Sequence, residues 1–180
     1  MIPIIAVLGT TKSGKTTLIE YLISNLSQEG LRIGTIKHIH DSGFSIDAKG
    51  KDTWRHAKAG AKIVVGAAPK ELAIIRKKET SENTLEEIIN LIKDEQLDIL
   101  IIEGFHSVVS HRKDIFKIVS AKSEKELRET LRGTVDPVLA ITGPFAKLKA
   151  HPAGLRIPII DIKTEGKKIL EIVKKVLVKG

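Results

Sequence analysis

The chain has 180 residues, enough for one α/β core and too few for two comfortable ones, so a single domain over 1–180 is the expectation. Lys+Arg 30 against Asp+Glu 22 gives a formal charge of +8, which suits a polyanionic partner. The basic residues are nevertheless spread from Lys12 to Lys179 and aromatics reach only 3%, which argues against nucleic acid as that partner. The absence of cysteine excludes disulfides and thiolate metal sites and fits a reducing cytosol. No apolar run approaches the ~18 residues of a membrane span and Met1-Ile2-Pro3-Ile4 lacks a charged leader, so a cytoplasmic protein without membrane contact is expected.

In chain order, Ile4–Leu8 reads as a buried first strand, and Gly9-Thr10-Thr11-Lys12-Ser13-Gly14-Lys15-Thr16 follows it directly with the spacing G-x-x-x-x-G-K-[ST]. Lys15 to Gln28 then reads as a helix, with Leu18, Leu22 and Leu26 on one face and Gly30 as its stop. Further short apolar runs at Ile33–Ile36, Ile99–Ile102, Phe116–Val119, Val138–Ile141 and Ile157–Ile160 read as strands. Several are unbroken rather than alternating, as strands covered on both faces should be. Thr84 to Asp94, Glu124 to Leu131 and Glu165 to Val178 are helix candidates between them. This alternation predicts an α/β fold of the P-loop NTPase kind, a mostly parallel sheet with helices on both faces. Ala61 to Glu79 departs from the order: Ile63–Val65 and Leu72–Ile75 are separated only by a turn-rich stretch and read as an antiparallel hairpin. Unpaired strand edges invite a second chain, so a homodimer through this arm is expected.

The loop after the first strand is the main carrier of chemistry. Glycines at both ends let the backbone curl with N–H groups turned onto phosphate oxygens, contributed by Gly9, Thr10, Thr11, Lys12, Ser13 and Gly14. Lys15 can reach the β/γ-phosphates, the Thr16 hydroxyl can ligate Mg²⁺, and the helix aims its positive end at the same anion. Glu103 ends the run Asp98-Ile99-Leu100-Ile101-Ile102, where an open α/β sheet holds its ligands. It is expected near the metal through water; the plain alternative is a carboxylate paired with Lys15. Asp98, at the other end of that strand, reads as a strand-start residue. Thr35 to Ala61 is long, polar and glycine-punctuated and reads as a functional loop, with Lys37, Lys51 and Arg55 for phosphate and Asp47 or Asp52 for magnesium or water. His38 and His40 could form a metal pair, and the solvated-loop reading is the plainer one. No Asn/Thr-Lys-x-Asp guanine signature is present; Val138–Ile141 is followed by Thr142-Gly143-Pro144-Phe145, so these residues alone leave ATP and GTP open.

Taken together, Gly9–Thr16 followed by Thr17-Leu18, then Lys37-His38, Asp47, Gly50-Lys51-Asp52-Thr53 with Arg55, Ala59-Gly60-Ala61 and Glu103-Gly104-Phe105 resemble the molybdopterin-guanine dinucleotide biosynthesis protein B (MobB-like) family. The resemblance implies a dimeric P-loop protein that binds GTP and Mg²⁺, hydrolyses GTP slowly, and assists the guanylyltransferase that joins GMP to molybdopterin. It maps phosphate binding onto Gly9 to Thr17, the magnesium-side acidic role onto Glu103 and Asp47, and a polar block onto Lys51, Asp52 and Arg55. Slow turnover also fits the lack of a second arginine poised in cis. Other classes with a P-loop are a small-molecule kinase, with Arg128 and Arg132 as lid candidates, a metallochaperone-type GTPase resting on His38 and His40, and a non-hydrolysing binding module.

Overall fold

The computed structural model describes residues 2–79, 84–148 and 154–178. It divides into two compact units, Met1–His38 with Ile88–Gly180, and Ile39–Glu87.

The first unit is built on a five-stranded parallel sheet in the order β2-β5-β1-β6-β7, with β1 Ile4–Leu8, β2 Ile33–Lys37, β5 Ile99–Glu103, β6 Phe116–Ser120 and β7 Val138–Thr142. The central strand β1 is buried along its whole length, as its unbroken apolar run requires. One sheet face places Ile5, Val7, Ile99, Ile101, Ile118 and Ala140 against Leu18, Leu22 and Leu26 of α1 (Lys15–Gln28) and Ile169 and Val173 of α6 (Ile162–Leu177). The alternate residues Ala6, Leu100, Ile102 and Val119 are equally buried on the other face, which α5 (Glu124–Arg132) helps to cover. Helices therefore flank a parallel sheet on both faces. Asp98 starts β5 by accepting the Arg32 backbone N–H at 2.7 Å, a register pin between neighbouring strands.

The strand order reverses beside β1, with β2 and β5 added on one side and β6 and β7 on the other, so ligands of such a sheet belong at the carboxyl ends of β1, β5 and β6. The expected strand at Ile157–Ile160 is instead a single parallel bridge, Ile141 to Ile159. Pro158 lacks a donor, and the ladder is reduced to Ile141 N–H on Pro158 O and Ile160 N–H on Ile141 O. The final helix starts at Ile162, three residues ahead of the predicted Glu165, because Asp161 caps it by accepting the Lys163 N–H at 3.1 Å.

The second unit contains α2 (Asp52–Lys58) and the antiparallel pair β3 (Ile63–Ala68) and β4 (Glu71–Arg76), joined by Pro69-Lys70. The hairpin stands as its own two-stranded sheet rather than as an edge of the larger one. α2 lies within the stretch read as a loop. None of its residues is buried, so no apolar period marks it, and it packs on β3, where Thr53 meets Gly66. α3 (Thr84–Ile92) runs from this unit into the first. Among the described residues no helix is long and apolar enough to cross a membrane.

Candidate functional site

Immediately after β1 the backbone enters conformations that L side chains avoid. Gly9 has φ 145°, Lys12 60° and Gly14 96°. A Cβ on Gly9 would overlap the Ser120 carbonyl oxygen at the end of β6, and a Cβ on Gly143 would lie 2.5 Å from the Ser13 carbonyl oxygen. The loop is thus a cradle gripped by two neighbouring strand ends, and only glycine permits that approach. Ser120 donates its hydroxyl to the Ser13 carbonyl at 2.6 Å, and Lys122 Nζ donates to the Thr11 carbonyl at 3.2 Å. Ser13 itself is fully buried with no hydrogen-bond partner for its Oγ among the described residues.

Helix α1 begins at the loop with Gly14 as its N-cap, no side-chain cap and no acidic residue in its first turn. By contrast α5 is capped by Ser123 and α6 by Asp161. The first-turn N–H groups of Lys15, Thr16 and Thr17 therefore carry the positive end of the helix without a carboxylate or hydroxyl to satisfy it, the arrangement that receives a phosphate. Thr16 and Thr17 are exposed and Lys15 is half-buried, its Nζ donating to the Thr10 carbonyl at 2.7 Å.

Electrostatics converge on the same spot. Burial lowers the Lys15 pKa first; the charge of Glu103 opposes this, while Lys37 and Lys122 add to the lowering. Lys15 thus stands among the charges of Glu103, Lys37 and Lys122; Lys37 pairs with Glu103 and Lys122 with Glu126 at 2.9 Å, which leaves the Lys15 ammonium as the charge without a carboxylate partner of its own among these groups. Glu103 forms its ion pair with Lys37 at 3.3 Å rather than with Lys15. The adjacent backbone turns sharply, Gly104 at φ 95° and Phe105 at φ 53°, and Phe105 stacks on His38 with ring centres 4.3 Å apart. A Cβ on Gly104 would meet the His38 side chain at 2.7 Å, so Glu103-Gly104-Phe105 is a packing unit that fixes the Glu103 strand end against Lys37-His38. Phe105 then opens the short helix α4 (His106–Val109), where burial, and next the charge of His111, hold the His106 pKa below its usual value.

The structure gathers the loop, Lys15, Lys37 and Glu103. Asp47, Lys51 and Arg55 belong to the second unit. There Asp47 accepts the Thr53 hydroxyl at 2.8 Å while its other oxygen is buried without a partner among the described residues. Lys51 is the N-cap residue of α2, and Arg55 pairs with Asp52 at 3.2 Å on the exposed face of that helix. His40 is exposed, and among the described residues no group of His, Asp and Glu side chains is gathered for a metal. Sequence reasoning missed Lys122, Ser120 and Gly143. They stand more than a hundred residues from the loop, and no local motif marks them; only the pairing of β1 with β6 and of β6 with β7 brings them in.

A sequence model of the family Molybdopterin guanine dinucleotide synthesis protein B (MobB) matches residues 4–140. The putative molybdopterin-guanine dinucleotide biosynthesis adapter protein of Methanocaldococcus jannaschii is 37% identical over 121 residues, 67% of this chain and 48% of that protein, so the match spans about half of that relative's length. The probable adapter protein of the same name from Bacillus subtilis is 36% identical over 134 residues, covering 72% of this chain and 70% of its own. The crystal structure of Bacillus subtilis MobB aligns with a TM-score of 0.77 at 26% identity, over 97% of this chain and 98% of that one. With its glycine cradle, its Glu103-Gly104-Phe105 strand end and a family match across most of its length, the chain belongs to the MobB family of molybdopterin guanine dinucleotide synthesis proteins.

Proposed function

We propose that the chain binds Mg²⁺-GTP on Gly9 to Thr17, hydrolyses it slowly, and serves molybdopterin guanine dinucleotide biosynthesis as an adapter to the guanylyltransferase. The observation that carries this reading is the uncapped N-terminus of α1, with Lys15 in its first turn and the Lys37–Glu103 pair beside it. The adapter role comes from the names of the relatives, and guanine from the family resemblance.

The residues fit a magnesium-bound triphosphate. Cβ-free positions at Gly9 and Gly143 let the loop lie tight against the ends of β6 and β7 in the curled form that turns N–H groups inward, and Thr16 and Glu103 offer the hard oxygen donors that magnesium prefers. Magnesium, held by Thr16 and by Glu103 through water, would supply positive charge that neutralises the phosphates. Lys15 supplies a point charge to the β/γ-phosphates, Lys37 and Lys122 widen the positive field, and Glu103 orients a water. In the second unit Asp47, with an unpartnered buried oxygen, is the candidate for a further metal or water contact, and Lys51 and Arg55 for phosphate. Glu103→Gln keeps the shape of the side chain and removes its base, so GTP turnover should fall by about 100-fold with nucleotide affinity little changed. An unchanged rate would remove Glu103 from the chemistry.

We also propose self-association through the hairpin. Register pairs Val65 with Ile74 and Ala67 with Leu72 on one face, and Ile63, Val65, Leu72 and Ile74 are 50%, 57%, 66% and 64% exposed. So contiguous an apolar face marks an interaction surface. Light scattering at high micromolar concentration should report a dimer that Val65→Asp with Ile74→Asp converts to monomer; a monomeric parent protein would end this proposal.

A further inference from the structure

A cavity of about 170 Å³ opens beside the phosphate loop, lined by Gly14, Thr17, Thr142, Gly143, Pro144, Asp161, Ile162 and the lysines Lys147 and Lys163. Two features set it apart from a surface dent. Gly14 and Thr17 belong to the cradle and to the first turn of α1, so the cavity shares a wall with the phosphate site. Thr142, the last residue of β7, is fully buried, and its Oγ1 has no hydrogen-bond partner among the described residues. Thr142 is thus enclosed wall, while Asp161 and Ile162 beside it are partly exposed, so the cavity offers an occupant the Asp161 carboxylate.

Size and chemistry narrow the occupant. Pockets that engulf a whole drug-sized ligand run to about 300–1,000 Å³, so this cavity suits one planar ring system whose phosphates lie elsewhere. Its walls mix the apolar Pro144 and Ile162 with a single carboxylate, Asp161, and the cations Lys147 and Lys163. Asp161 accepts the Lys163 N–H through Oδ1 as the cap of α6. An ionised carboxylate offers about four lone-pair positions and donates nothing. It therefore complements a ring edge that presents adjacent N–H donors. Guanine does so with N1–H and its 2-amino group, whereas the corresponding edge of adenine turns an acceptor nitrogen toward the carboxylate.

Resting on the reading of Gly9 to Thr17 as a triphosphate site, we propose that this cavity is the nucleobase slot and that Asp161 selects guanine by accepting its N1–H and 2-amino protons. Lys147 or Lys163, both exposed, supplies the donor for the O6 side. Base recognition then comes from the cap of α6, later in the chain than Thr142-Gly143-Pro144-Phe145, where an Asn/Thr-Lys-x-Asp signature would stand, although both line the same cavity.

The test is a calorimetric comparison of GTP, ATP, xanthosine triphosphate and inorganic tripolyphosphate, each with Mg²⁺, on the parent protein and on Asp161→Asn. Asn caps helices as well as Asp, so α6 keeps its start. The parent should favour GTP over ATP. The variant should lose about 10- to 100-fold for GTP and gain for xanthosine triphosphate, whose 2-oxo group accepts from the Asn amide, with tripolyphosphate unaffected. Unaltered GTP preference in the variant, or a loss shared equally by tripolyphosphate, overturns the slot. A parent protein that binds no tripolyphosphate and no nucleotide overturns the loop reading beneath it, a result distinct from either.

Discussion

Lys15→Ala should weaken Mg²⁺-GTP binding by about 100-fold or more while leaving the protein as stable as before. Both halves follow from the environment of the ammonium. A charge-assisted hydrogen bond to phosphate is among the stronger polar contacts a protein makes, and Lys15 is the side chain that leads into the first turn of α1. In the fold its pKa is lowered, by burial first and by Lys37 and Lys122 as well, with Glu103 opposing. A lowered lysine pKa means that the charged form is less at home in the folded chain than in the unfolded one, so removing it gives up only the exposed hydrogen bond to the Thr10 carbonyl. The same sign fixes the pH dependence: as pH rises through the lowered pKa of Lys15 the ammonium is lost and triphosphate affinity should fall with it, earlier than for a lysine of ordinary pKa. Calorimetry measures the affinity and a thermal melt the stability. Retained affinity would move the phosphate site away from the loop, and a fall in melting temperature would assign Lys15 a structural role.

Gly9→Ala should lower stability as well as binding. Gly9 has φ 145°, and any Cβ there overlaps the Ser120 carbonyl and approaches Ser13 Oγ at 2.7 Å. Since those neighbours are backbone and a buried side chain, relief requires the end of β6 or the whole loop to shift. Backbone strain costs about 1–3 kcal/mol and overpacking about as much again, so a loss of ~3 kcal/mol in unfolding free energy is expected. Gly50→Ala is the control. Gly50 also has positive φ, at 93°, but nothing lies within 4 Å of an added Cβ, so the backbone term acts alone and the loss should be smaller. Denaturant titration distinguishes the two; equal losses would show that φ, and not the grip of Ser120, decides the cost.

Much of the sheet was legible because buried parallel strands announce themselves as unbroken apolar runs. Ile4–Leu8 and Lys15–Gln28 match their expected bounds, the latter because Leu18, Leu22 and Leu26 mark a face that the core fills. Failures have physical causes. α2 buries no residue, so no apolar period could reveal it; its only local sign is the placement of Asp52 in the first turn and Arg55, His56 and Lys58 in the last, which complements the helix dipole. Ile157–Ile160 carries strand-like residues, but Pro158 lacks the donor a ladder needs, and one bridge is what remains.

The site divides the same way. Lys15, Thr16 and Glu103 stand in local patterns that mark them as candidates, and the structure places Lys15 and Glu103 within electrostatic reach of each other; the Glu103-Gly104-Phe105 stretch adds a stack on His38 that holds the strand end. Lys122, Ser120 and Gly143 contribute through long-range pairing of β6 and β7, which no short window records. Asp161 was hidden for a related reason: it looks like an ordinary helix cap, and only the cavity behind Pro144 suggests a second task.

The most direct test of the account is a crystal structure with Mg²⁺ and a non-hydrolysable GTP analogue. The account predicts β/γ-phosphate oxygens at hydrogen-bonding distance, about 2.7–3.2 Å, from Lys15 Nζ and the first-turn N–H groups of α1, with the base between Pro144 and Asp161. An analogue bound with its phosphates away from Gly9 to Thr17 would contradict it.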